Sequence, residues 1–441
     1  MKIMKGMKKM KEMEGMKKME MFGMKILFFS FFSFLSFPSF SQSNNTNSPY
    51  TRYGYGQLAD QSSISQRGMG GIGYGLRNSQ LINPLNPASY SAVDSMTFMF
   101  DLGLKGQVGW FEDNLNKATK YNAGLEYVAL QFPLAKGLGM GIGFEPLSYV
   151  GYQYLDTTNM EMFNEIAFSN YSGKGGFNKL YGTLSYRLLD RLSLGVNVGY
   201  LFGDVIHSCS ASFNSTGSLT NAYRTYKNDT IRSNNLTYEF GLQYIQPVSK
   251  NAEIIIGAVY TPKTRLGATV NTAVVSVTSA GQITGEPNYW SSNDSVFQLP
   301  ETYALGISYH KFNKWTVGAD FQYQRWADAK YYDKTDEFSN RMKINVGAEF
   351  VHKLRYRAGA YYTDSYVKNI NNASHIPGGY KEYGASLGLG IPMVDKRSFI
   401  NMAFEYSLIR PDVKTMIDEQ YFKFSVSYTF NELWFFKRKL Q

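Results

Sequence analysis

Twelve charged residues share a face with small and polar neighbours in strand-like segments: Asp101, Lys105, Glu126, Glu145, Arg187, Glu239, Asp320, Lys343, Glu349, Arg355, Arg357 and Glu405. Charges held away from water need partners. Arg52, Arg67 and Arg77, upstream of the first strand, are available to meet some of them. Structural pairing is the expectation; a polar channel for a charged or hydrophilic solute is the alternative. The remaining chemistry is thin. Nucleophilic hydrolysis wants a Ser, a His and an orienting group within hydrogen-bond reach. His310 and His352 fall at short turns, while His207 and His375 begin or occupy long loops. None sits mid-strand beside an inward Ser, and no His/Cys/carboxylate spacing matches a metal site. The lone Cys209 excludes an internal disulfide. The chain reads as a non-enzyme without a cofactor.

What must position those charges is a long series of strands. From Met96 to Phe430, fourteen segments alternate with period two. In one, Leu192, Leu194, Val196, Val198 and Tyr200 oppose Ser193, Gly195, Asn197 and Gly199. In the last, Phe422, Phe424, Val426, Tyr428 and Phe430 oppose Lys423, Ser425, Ser427 and Thr429. One greasy and one polar or small face is the pattern of a lipid-facing barrel wall. The connections alternate long and short along the chain, with short gaps such as 133–137, 189–191 and 351–353. Outer-membrane barrels have long outward loops, short periplasmic turns and an even strand number. A soluble sandwich has no reason to sort loop length by parity. Composition agrees: the chain is 16% aromatic, with 41 Gly and 13 Pro.

The barrel is preceded by an irregular stretch. Ile82–Val93 reads INPLNPASYSAV, and its two Asn-Pro pairs can continue neither a helix nor a central strand. Gln66–Gly75 places five glycines in ten positions, without the strand-then-helix context or the Lys-Ser/Thr of a nucleotide loop. Such a segment is expected to fold inside the barrel as a plug.

The N-terminus carries an export pattern. Met1–Gly23 is a Met/Lys run, and Met24 opens a secretory segment with Lys25, the apolar stretch Ile26–Phe37 and small residues at Ser39 and Ser41. Cleavage is expected after Ser41, with Met24 as the true start. The apolar stretch is too short to span a bilayer, which takes about 20 residues. Residues 1–41 hold eight Lys and three Glu, so the net charge of +10 falls to 10 − 5 = +5 on their removal. That remainder suits a solvated surface rather than nucleic acid. The division is 1–41 start and signal peptide, 42–95 linker and hatch, 96–430 barrel, and 431–441 a short extension. In that extension Trp434, Phe435 and Phe436 precede Lys437, Arg438 and Lys439, either as at a membrane interface or as a frayed tail.

Three motifs resemble the long-chain fatty acid transporter (FadL) family of outer-membrane hydrophobic-compound transporters. Asn86-Pro87-Ala88 is similar to the family's hatch motif just before the first strand. Leu299–Gly306, LPETYALG, resembles the opening of a mid-barrel strand, and Asp320-Phe321-Gln322-Tyr323 with Trp326 resembles the end of the next. The SPYTRYGYG opening and the C-terminal extension look like the branch found in Bacteroidetes-type bacteria. The resemblance covers roughly residues 48–430. It implies an all-β, fourteen-stranded antiparallel transmembrane β-barrel with an N-terminal hatch in its lumen. It further implies a passive transporter of hydrophobic molecules such as long-chain fatty acids, captured at outer loops and released by hatch movement through a gap in the wall. In the family that gap comes from a kink in the third strand; Glu145-Pro146 either mark such a point here or place a proline merely near the strand's outer end. The expected partners are a hydrophobic small molecule and outer-membrane lipid. A protein partner is expected instead if the chain is a scaffold, as some relatives of this architecture are. An open porin would lack the plug. The Ser/Thr/Asn-rich stretch Thr261–Val296 is either a capture surface or simple solvated loop.

Overall fold

The computed structural model describes residues 45–433, apart from 114–115, 161–164, 214–223, 279–281, 294, 369–377 and 414–415. The expected signal peptide, His375 and the aromatic-basic tail lie outside the described residues.

Period-two alternation gives extended chain with two distinct faces, and such chain is stable only when its backbone groups find neighbours. The strands are β1 (Gln57–Leu58), β2 (Thr97–Glu112), β3 (Lys117–Ala135), β4 (Leu138–Pro146), β5 (Ser148–Met160), β6 (Glu165–Leu189) and β7 (Leu192–Phe213). They continue as β8 (Arg224–Ser249), β9 (Ala252–Thr261), β10 (Thr264–Val277), β11 (Ile283–Ser292), β12 (Phe297–Leu299) and β13 (Thr302–Lys311). The last are β14 (Trp315–Gln324), β15 (Arg341–Val351), β16 (Arg355–Asp364), β17 (Tyr380–Pro392), β18 (Phe399–Pro411) and β19 (Asp418–Leu433). Their pairings are antiparallel, and β19 returns to β2 to close the ring. β4 with β5 forms one stave of the barrel, and β9 with β10 another. β13 pairs with β9 and β14, while β11 and β12 fold back onto β10. The closed ring therefore has fourteen staves.

The wall is inside-out relative to a soluble protein. Leu194 is 42% exposed and its neighbour Ser193 only 1%. Val317, Ile344, Val346, Phe350, Phe404 and Phe422 likewise face outward, whereas Asp320, Asn345, Glu349, Arg357 and Glu405 are buried within. An apolar exterior around a polar, filled interior is the arrangement of a barrel in lipid.

Several stretches expected as loops are strand. β5 through β8 run into 154–176 and 206–230, and the Thr261–Val296 stretch folds largely as the β10–β11 hairpin. β6 and β8 have 25 and 26 residues, against about 9–11 needed to cross a bilayer. Above the lipid both faces meet water, so the greasy/polar alternation fades while the hydrogen-bond ladder continues. His207 is accordingly inside β7, with its Nδ1 2.8 Å from the Tyr152 hydroxyl, rather than in a loop.

Residues 45–96 lie within the ring and bond to its inner wall. They contain 3₁₀ turns at Pro49–Arg52 and Pro87–Ala92, the single-turn helix α1 (Ile64–Arg67) and β1. The first barrel strand begins at Thr97, and the described part of the last ends at Leu433.

Candidate functional site

Asn86-Pro87-Ala88 sits at the base of the luminal segment, and Asn86 is fully buried. Its Oδ1 accepts from the Ala88 amide at 3.0 Å, capping the 3₁₀ turn that Pro87 starts. Its Nδ2 donates to Tyr74 O at 2.8 Å and to Leu242 O of β8 at 3.2 Å. The Ser185 hydroxyl donates to Ala88 O at 2.8 Å. The wall makes room by omission: a Cβ on Gly195 would lie 2.3 Å from Pro87 C, and one on Gly241 2.3 Å from Asn86 Oδ1. Only glycine fits where the wall backbone and the motif approach so closely.

Further along, the luminal segment meets the charged wall. The Asp320 carboxylate accepts from the Gly73 and Tyr74 amides at 2.6 and 2.9 Å. Arg67 pairs with Glu126, which Lys105 also contacts at 2.7 Å. Lys343 reaches Asp60 at 3.1 Å. Burial alone would raise the Asp60 pKa, but Lys343 and Arg67 outweigh it and hold the carboxyl well below its usual range. Other charges pair within the wall: Lys179 bridges Glu145 (2.9 Å) and Glu239 (2.8 Å), and Glu349 takes Arg355 (3.1 Å) and Arg357 (2.7 Å). Asp60, Arg67, Lys105, Glu126, Lys179 and Lys343 are among the residues lining a cavity of about 190 Å³. Structural pairing thus describes most of the inward charges.

Two of the three luminal arginines depart from that expectation. Arg52 donates to the Tyr154 hydroxyl and lies 4.2 Å from the Tyr171 ring centre. Arg77 donates to Ala88 O, Gln243 Oε1 and Ser91 Oγ, none of them a carboxylate.

Glu145-Pro146 stands at a break in the wall. β3 pairs with β4 only from Ala135↔Leu138 to Val128↔Phe144. Beyond that point, among the described residues, Lys117–Tyr127 pair with β2 alone. Lys117–Tyr121 are exposed at every position, as a strand with a free edge should be. On the other side β5 pairs with β6 and, at Gln57↔Tyr149 and Leu58↔Ser148, with β1 of the luminal segment. Pro146 has no amide hydrogen to extend the ladder. Opposite the break Gly176 adopts φ 147°, and a Cβ there would lie 2.3 Å from Ser148 O.

Beside this break is an aromatic cluster that the motifs did not reveal. Tyr55 is packed among Trp326 (5.6 Å between ring centres), Tyr331 (5.5 Å), Phe338 (6.1 Å) and Phe177 (6.1 Å). Its hydroxyl donates to Gln298 O at 3.0 Å. Tyr50 is buried in the same cluster, with Val150 and Tyr152 of β5. The signal was present in SPYTRYGYG, but which wall residues those tyrosines meet depends on pairings more than 240 positions apart.

A family model described as BamG matches residues 23–441. The chain belongs to the BamG family. Among solved structures, this BamG-family barrel is similar to the P. putida toluene transporter TodX at 16% identity, covering 85% of this chain and 99% of that one with TM-score 0.59. It is also similar to the CymD monoaromatic hydrocarbon channel (15% identity, 83% and 97% covered, TM-score 0.56). A Pseudomonas aeruginosa FadL homologue matches at 14% identity (85% and 99% covered, TM-score 0.55). At these identities the likeness establishes a shared fold. No curated protein matches the sequence.

Proposed function

We propose that this BamG-family barrel is a passive, non-enzymatic passage for small hydrophobic molecules in the outer membrane, reached through the signal peptide read at residues 24–41. The break at Pro146 carries the reading. There β3 presents a free edge along Lys117–Tyr127, the facing edge of β5 is met by β1 of the luminal segment, and the Tyr55–Trp326 cluster reaches the break through Val150 and Tyr152. Residues 45–96 are the hatch: Asn86-Pro87-Ala88 is the fixed base, and Tyr50 and Tyr55 occupy the place an apolar ligand would take. The hydrocarbon channels of like fold are named for toluene and monoaromatic hydrocarbons. Aromatic compounds of that size and long-chain fatty acids are the substrate classes we put forward.

One observation favours a second reading, a scaffold for a protein partner. The aromatic cluster is filled by the chain's own tyrosines, while β6 and β8 raise a tall strand surface above the lipid. Uptake of toluene and of oleate by liposomes holding the purified barrel separates the two. Uptake that falls severalfold in Pro146→Ala, with the barrel still folded, supports lateral release; unchanged uptake overturns it. No uptake by the native barrel, together with a stoichiometric protein partner in a pulldown, establishes the scaffold.

A further inference from the structure

Arg77 and Arg187 converge on one residue of the luminal segment without a carboxylate between them. Arg77 Nη2 donates to Ser91 Oγ at 2.9 Å, and Arg187 Nη2 donates to Ser91 O at 3.0 Å. The other Arg77 bonds go to Ala88 O and Gln243 Oε1, both at 3.1 Å. Among the described residues, Arg187 Nε is buried with no hydrogen-bond partner. Glu253 acts on Arg77 only through space, and its carboxylate lies 3.5 Å from His310 Nδ1. Two like charges this close disfavour each other. Burial, and then the Arg187 charge, push the Arg77 pKa down to about 10.

Contrast Arg355 and Arg357, which share Glu349, and Arg67, which has Glu126. Those three guanidiniums each have a carboxylate, whereas this pair is short of one negative charge. Arg187 stands two residues before the end of β6, beside the short turn Asp190–Arg191. By loop parity that is the periplasmic face. Both arginines are half-buried, so solvent reaches them while their field is less screened than at an open surface. Planar guanidiniums matched to two oxygens favour carboxylate and phosphate over halide.

We propose that Arg77 and Arg187, with the Ser91 hydroxyl, form an anion site at the periplasmic mouth of the lumen that takes one carboxylate or phosphate headgroup. The bound headgroup supplies the missing negative charge. It needs neither functional reading above, since an amphiphile leaving the lumen and a phosphate approaching from the periplasm present the same chemistry.

Calorimetric titration of the full-length barrel in non-ionic detergent tests this with hexanoate, inorganic phosphate and uncharged hexanol. Hexanoate or phosphate binds and hexanol does not; tighter hexanoate names an amphiphile's carboxylate as the source, tighter phosphate a phosphate group. Arg187→Gln weakens binding about tenfold, the size of one lost charge-assisted hydrogen bond, and Arg187→Lys recovers part of it. Arg187 makes one side-chain bond to a backbone oxygen, so the barrel's heat-modifiable gel mobility is retained in both variants. Lys136→Gln, which removes a charge from an exposed turn on the same rim, leaves binding unchanged. Absence of binding by the native barrel overturns the site, as does an equal loss in Lys136→Gln or native affinity in a folded Arg187→Gln.

Discussion

The Arg67 guanidinium of the luminal helix and the Glu126 carboxylate of the wall form an ion pair in which neither side chain is more than 3% exposed. Lys105 joins it at 2.7 Å, and Arg67 also donates to Asp60 O at 2.6 Å. One carboxylate thus holds a cation from the lumen and a cation from the wall together.

Removing that carboxylate strands both cations. Glu126→Gln is expected to cost about 3–5 kcal/mol, the usual consequence of breaking one side of a buried pair. Replacing Arg67, Lys105 and Glu126 together by apolar residues should recover most of the loss. Urea unfolding in detergent micelles measures both.

Acid should loosen the same region through Asp60. Its folded pKa is held below the unfolded value of about 3.9 by Lys343 and Arg67, against the effect of burial. A depressed carboxyl pKa gives stability that is complete above the unfolded pKa and lost as pH falls through the folded one. The stability difference between the native chain and Asp60→Asn should therefore be largest near pH 7 and shrink below about pH 4. A difference that widens on acidification contradicts this.

Emptying the aromatic cluster should create a ligand cavity. Tyr55→Ala removes a ring surrounded by Trp326, Tyr331, Phe338 and Phe177. Truncations of this size cost about 3–5 kcal/mol and leave a void that stays apolar. Added toluene should raise the unfolding midpoint of Tyr55→Ala and leave the native chain unmoved.

The wall was legible because its physics is local. Alternation at Leu192–Phe202 or Phe422–Phe430 fixes which side chains meet lipid, and turn parity fixes the stave count. Asn86-Pro87-Ala88 and Pro146 stand out as irregular points for a related reason, since proline limits its own neighbours whatever surrounds it. The long outer strands were not, because water on both faces erases the alternation without breaking the ladder. Nor could composition choose among the arginines: that Arg67 meets Glu126 while Arg77 meets Ser91, Ala88 and Gln243 depends on contacts between distant parts of the chain.

The seat of Asn86 and Pro87 is formed by side chains that are missing from Gly195 and Gly241. Those two wall positions and the luminal motif therefore share one volume. A methyl gained on either side is viable only if volume is given up on the other, so the lineage can alter the occupant of this barrel only by altering the barrel in the same step. A plug exchanged between relatives should fit only when the facing wall residues travel with it.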